Sequence, residues 1–91
     1  MVIVRATLAD TGRAPASTAT VRTVEDAVWA HAAPEYGLEH LRAQPAPTGI
    51  GVLVFLRADG PEDALLKANG LFLRALAAPA LTGYTAALHL I

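Results

Sequence analysis

Ile50-Gly51-Val52-Leu53-Val54-Phe55-Leu56-Arg57 is an apolar run, rich in β-branched and aromatic side chains, with apolar residues at odd and even positions alike. A strand with one wet face alternates apolar and polar residues, whereas a strand covered on both faces is apolar throughout. The run therefore reads as a central strand with something packed on each side of it.

Just before it, Pro45-Ala-Pro-Thr-Gly49 reads as a rigid turn, and Leu38–Gln44 alternates loosely, as an edge strand does. The two strands are expected to form an antiparallel hairpin. Just after it, Asp59-Gly60-Pro61-Glu62-Asp63 puts a capping residue ahead of a proline at the first helical position, with two acids in the first turn. Leu65, Ala68, Phe72 and Leu76 follow at helical spacing, in a stripe widened by Leu66, Leu73 and Ala75. Asn69-Gly70 is a turn signal in the middle. One helix is expected to run through it and end before Pro79, with Thr82–Ile91 as a closing strand.

Towards the N-terminus, Val2–Leu8 reads as a strand with Val2, Val4, Ala6 and Leu8 on one face. Ala9–Thr20 is small and polar, holds Gly12 and Pro15, and reads as a flexible loop. Thr23-Val-Glu-Asp26 has the pattern of a capping box, so a helix is expected to open at Thr23. Val24, Ala27, Val28, His31 and Ala32 share one of its faces, with Trp29 on the flank, and Pro34 should stop it near Ala33. Gly37 lets the chain turn.

The order is βαββαβ. With right-handed crossovers it gives an α+β, ferredoxin-like sandwich: a four-stranded antiparallel sheet, order 4-1-3-2, with two helices on one face. A single domain is expected to span residues 1–91. Val2, Val4, Ala6, Leu8, Ile50, Val52, Val54 and Leu56, joined by Leu88 and Leu90, would face the helices. The opposite face would carry Ile3, Arg5, Thr7, His40, Arg42, Leu53, Phe55, Arg57, Thr85, Ala87 and His89.

Composition bounds the chemistry. Apolar residues make up 54% of the 91, which argues for a folded chain, although twenty are alanines of small buried area. Seven basic against eight acidic residues leave a net charge of −1, so no overall field draws in nucleic acid or an anionic membrane. The absence of cysteine excludes disulfides and thiolate metal sites. Met1–Arg5 lacks the basic and apolar regions of a signal peptide, and the cytoplasm is the default location.

Catalytic signals are weak. His31, His40 and His89 lack metal-ligand spacing, and no metal or cofactor is expected. Ser17 is the only serine and has no nucleophile elbow around it. Gly49-Ile-Gly51 neither follows a parallel strand nor opens a helix, so its glycines read as turn residues. The acid pairs Glu25-Asp26 and Glu62-Asp63 read as partners of helix dipoles. An RNA-binding sheet of this topology would need aromatics on both central strands, and only Phe55 is present.

The expected function is association. Leu53 and Phe55 on the open central strand, with Arg5, His40, Arg42, Arg57 and His89 around them, form the candidate interface. A homo-oligomer is expected, most simply a dimer with its sheets face to face; a protein partner or small ligand could use the same face. The alternative is a cofactor-independent enzyme of the dimeric α+β-barrel kind with a His or Tyr as proton carrier, to which His31, Tyr36, His40, Tyr84 and Trp29 are the possible contributors.

Overall fold

Strand β1 (Val2–Ala9) sits in the middle of the sheet in the computed structural model, which describes residues 1–9, 18–47 and 49–91. Then come helix α1 (Thr18–Ala30), strands β2 (Leu38–Ala46) and β3 (Gly49–Leu56), helix α2 (Pro61–Ala75) and strand β4 (Thr85–Leu90). Short 3-10 turns at Pro34–Tyr36 and Pro79–Leu81 precede β2 and β4. The hydrogen-bonded order is β2-β3-β1-β4 with every pair antiparallel, which is the expected 4-1-3-2 counted from the other edge.

Alternation along the two central strands builds the core. Val4, Ala6 and Leu8 of β1 and Ile50, Val52, Val54 and Leu56 of β3 are fully buried. They form one cluster with Val24 and Val28 of α1 and Ala64, Ala68, Leu71, Phe72 and Ala75 of α2, so both helices cover the same sheet face. Helix α1 lies against β2, and α2 against β1 and β4.

Several expectations need correction. The Ala9–Thr20 loop is shorter than its composition suggests: Ala9 belongs to β1, Thr18 begins α1, and residues 10–17, Ser17 included, lie outside those described. Thr23 is therefore not a cap but lies inside α1. Val21 is buried in line with Val24 and Val28, so packing carries a β-branched segment of poor helix propensity into the helix. Helix α1 also ends at Ala30, ahead of Ala33, as His31 and Ala32 tighten to i−3 hydrogen bonds.

Glu25, now mid-helix, has a different job. Its Oε2 accepts the outward N–H of Ala43 on edge strand β2 at 3.2 Å. The next outward position is Pro45, which has no N–H, so this edge offers little to an incoming strand.

Leu66 and Leu73 do not widen the buried stripe of α2; they are 73% and 66% exposed, and Ala64 and Leu71 hold the core positions. Leu90 shares a face with the core but is 43% exposed beyond the helices' cover. Asn69-Gly70 does stay helical. The Tyr36 ring lies against Gly70, where a β-carbon would come within 2.9 Å of it.

The start of α2 is held by Asp63. Its carboxylate accepts the Asp59 N–H at 3.0 Å and pairs with Lys67 at 3.0 Å, and these contacts, in that order, hold its pKa below the ordinary carboxylate value. A lowered folded-state pKa contributes stability above the unfolded value of about 4, lost as pH falls through the folded value. Asp63→Asn should flatten the fall in melting temperature below about pH 4. An unchanged acid slope would show that the contact is energetically silent.

Candidate functional site

The face of the sheet away from the helices is covered by no element among the described residues. Burial along β3 alternates between fully buried even positions and half-buried odd ones. Leu53 and Phe55 thus lie on the central strand with apolar surface still accessible, although the sequence around them reads as a strand packed on both sides.

Strand pairing arranges this face in rows. Arg42, Leu53, Arg5 and His89 form one row from β2 across to β4. His40, Phe55 and Ile3 form the next, and the His40 and Phe55 rings lie 5.4 Å apart, tilted by 46°. On the other side, Gln44, Gly51, Thr7 and Ala87 form a third row. Among the candidate residues, Arg5, Arg42 and Leu53 are brought together, with His40 and Phe55 one row away.

His89 closes the Arg42–Leu53–Arg5 row at the β4 edge, paired with Arg5, whereas Arg57 stands apart. Arg57 lies past the end of β3; its N–H donates to the Gly37 carbonyl, and its own carbonyl accepts Lys67 Nζ. Its Cα is four residues from Leu53, roughly 13 Å along an extended strand. His89 is on β4 and His40 on β2, three strand spacings apart, or roughly 14 Å. That separation rules out a shared metal ion. No group of three or more potential metal ligands occurs among the described residues.

Arg5 and Arg42 flank Leu53 and border a groove of about 420 Å³, together with Thr7, Gln44, Ala46, Pro47, Gly51, Val52 and Leu53. Among the described residues no carboxylate lines it. Both arginines are exposed, and neither has an ion-pair partner among the described residues.

The side chains of the enzymatic alternative do not meet there. His31 is half-buried, with Nδ1 2.8 Å from the Ala27 carbonyl, which places the proton on that nitrogen. Tyr36 lies under Arg74, whose guanidinium carbon is 5.8 Å from the ring centroid, and Trp29 is 46% exposed on α1. Tyr84 lines a second groove, also about 420 Å³, between α2 and β4 with Asn69, Phe72, Leu73, Leu76 and Leu88.

No family model, curated protein or solved structure matches this chain at a significant level.

Composition and spacing alone miss Gly51 and Gln44. Gly51 is not a turn residue: it lies inside β3, opposite Thr7 on one side and Gln44 on the other. The signal that could have found it is parity, since Gly51 shares the odd face of the apolar run with Leu53 and Phe55. Gln44 reads as the end of its strand, but β2 continues to Ala46. No helix of the described residues is long and apolar enough to cross a membrane.

Proposed function

We propose that the chain is a ferredoxin-like association domain that works through its open sheet face, most simply as a homodimer with two such faces stacked. One observation carries this reading. The central strand β3 is apolar on both sides, yet among the described residues only its even side is covered by helices. Stacking a second copy over Leu53 and Phe55 would remove the remaining apolar surface from water, and a two-fold axis lets identical faces meet. The enzymatic alternative has less support, because neither histidine nor tyrosine lines the groove between Arg5 and Arg42.

A second contact surface is favoured by Leu66 and Leu73. They lie seven residues apart on the outer side of α2, strongly exposed, and Leu73 borders the apolar groove beside β4. Sedimentation velocity on the wild type, Leu53→Asp and Leu73→Asp separates the two surfaces. A dimeric wild type is expected. Leu53→Asp should sediment as a monomer with unchanged circular dichroism, and Leu73→Asp should remain dimeric. Dissociation by Leu73→Asp alone would move the interface to α2, and a monomeric wild type at millimolar concentration would end the dimer reading.

A further inference from the structure

Gly51 leaves a hollow in the middle of the open sheet face, and the backbone does not require it. Its φ lies outside the left-handed range that favours glycine, and a β-carbon built there would meet nothing closer than the Gln44 carbonyl oxygen, at 3.9 Å. Glycine weakens a strand interior, and where neither turn nor bulge needs it, it marks a place where something approaches the backbone closely. The hollow opens into the groove that Arg5, Thr7, Arg42, Gln44 and Leu53 border, whose volume of about 420 Å³ is that of a small-ligand site.

We infer that this hollow binds a small organic carboxylate between Arg5 and Arg42, with the ligand's apolar body against Leu53. The inference rests on the open face being the working surface, and it specifies what that surface takes. Both arginines pair across Leu53, so their Cα atoms are two strand spacings apart, roughly 10 Å. Each guanidinium presents a planar fork of N–H donors that matches a carboxylate, and among the described residues no acid lines the groove to compete for it. The Thr7 hydroxyl and the Gln44 amide add neutral donors. Leu53 favours an organic anion over a bare inorganic one, which has no apolar surface to place there.

Charge ties this site to assembly. Stacking two open faces brings Arg5 and Arg42 of one copy towards those of the other, and these like charges oppose the contact. A carboxylate bound between them neutralises that repulsion, so the ligand should strengthen the dimer.

The test uses the full chain labelled with ¹⁵N and titrated with benzoate, its uncharged counterpart benzamide, and inorganic phosphate, with sedimentation of the same samples. Benzoate should produce saturable amide shifts centred on Thr7, Gly51 and Leu53 and raise the dimer fraction. Benzamide should produce none, and phosphate should bind about tenfold more weakly, the scale of one lost apolar contact. Arg42→Gln should weaken benzoate by about tenfold or more, as loss of a charged hydrogen bond does. Gly51→Val should abolish the shifts while keeping the circular dichroism and melting temperature of the wild type or better. Equal shifts from benzamide, equal affinity for phosphate, or benzoate binding unaffected by Gly51→Val would each overturn the carboxylate site. A dimer without saturable benzoate shifts would sink the site and leave the dimer reading. Saturable binding to a persistent monomer would sink the dimer reading and leave the site.

Discussion

Gly49→Ala is expected to lower stability by about 3 kcal/mol or more, whereas Gly51→Ala, two residues along the same strand, should be neutral or stabilise by about 0.5–1 kcal/mol. The opposite signs follow from backbone geometry. Gly49 has φ +154° and sits where β3 begins, paired with Ala9 on one side and Ala46 on the other. A β-carbon there would overlap the Leu8 carbonyl oxygen and press on the Leu8 carbonyl carbon at 2.9 Å. The obstacle is backbone of the adjoining central strand, which cannot rotate away as a side chain can. Gly51 has ordinary strand geometry and open space above it, so a methyl group there mainly removes freedom from the unfolded chain. Urea denaturation of the two variants reads this directly. Equal effects would mean that β3 does not start as described.

Phe72→Ala should cost about 3–5 kcal/mol. Phe72 is 2% exposed and has the largest volume among the fully buried side chains, most of its neighbours being valine, leucine and alanine. Small side chains cannot collapse into the space an aromatic ring leaves, so most of the cavity would persist. Stability of about 0.05–0.15 kcal/mol per residue gives a chain of this length roughly 5–14 kcal/mol, so the loss is a large share of the total and should lower the melting temperature by many degrees. Thermal unfolding followed by circular dichroism checks it. A loss below about 1 kcal/mol would show that α2 packs differently against β1 and β4.

Much of the architecture was legible because β1 and β3 are short, strongly apolar runs of strand-forming residues, and because proline and glycine mark most turns. The even residues of β3 and of β1 from Val4 onward point where their alternation says, and the strand order follows from the sequence of elements. Helix α1 was less legible. Thr23 carries the local signature of a cap, but Val21, in step with Val24 and Val28, shows that burial extends the helix further back. On α2, leucines occur all round the helix. Leu71 and Phe72 face inward while Leu66 and Leu73 do not, and only the position of β1 and β4 decides between them.

The candidate site was half legible. Alternation alone placed Arg5, Arg42 and Leu53 on one face, and pairing then set them in one row. Gly51 was not legible as part of it, because beside Gly49 it reads as turn chemistry. Its meaning depends on two facts absent from local sequence: its ordinary backbone geometry, and Thr7 and Gln44 as its cross-strand neighbours. Arg57 shows the opposite limit, since parity gives a residue's face but not its distance along the strand.

The central claim is that a second copy covers the face bearing Leu53. Paramagnetic relaxation by a soluble gadolinium chelate, read at leucine methyl groups in dilute and concentrated protein, tests it most directly. Leu53 is expected to become shielded as concentration rises while Leu66 and Leu73 on α2 stay accessible. Constant accessibility of Leu53, with or without shielding of Leu73, would contradict it.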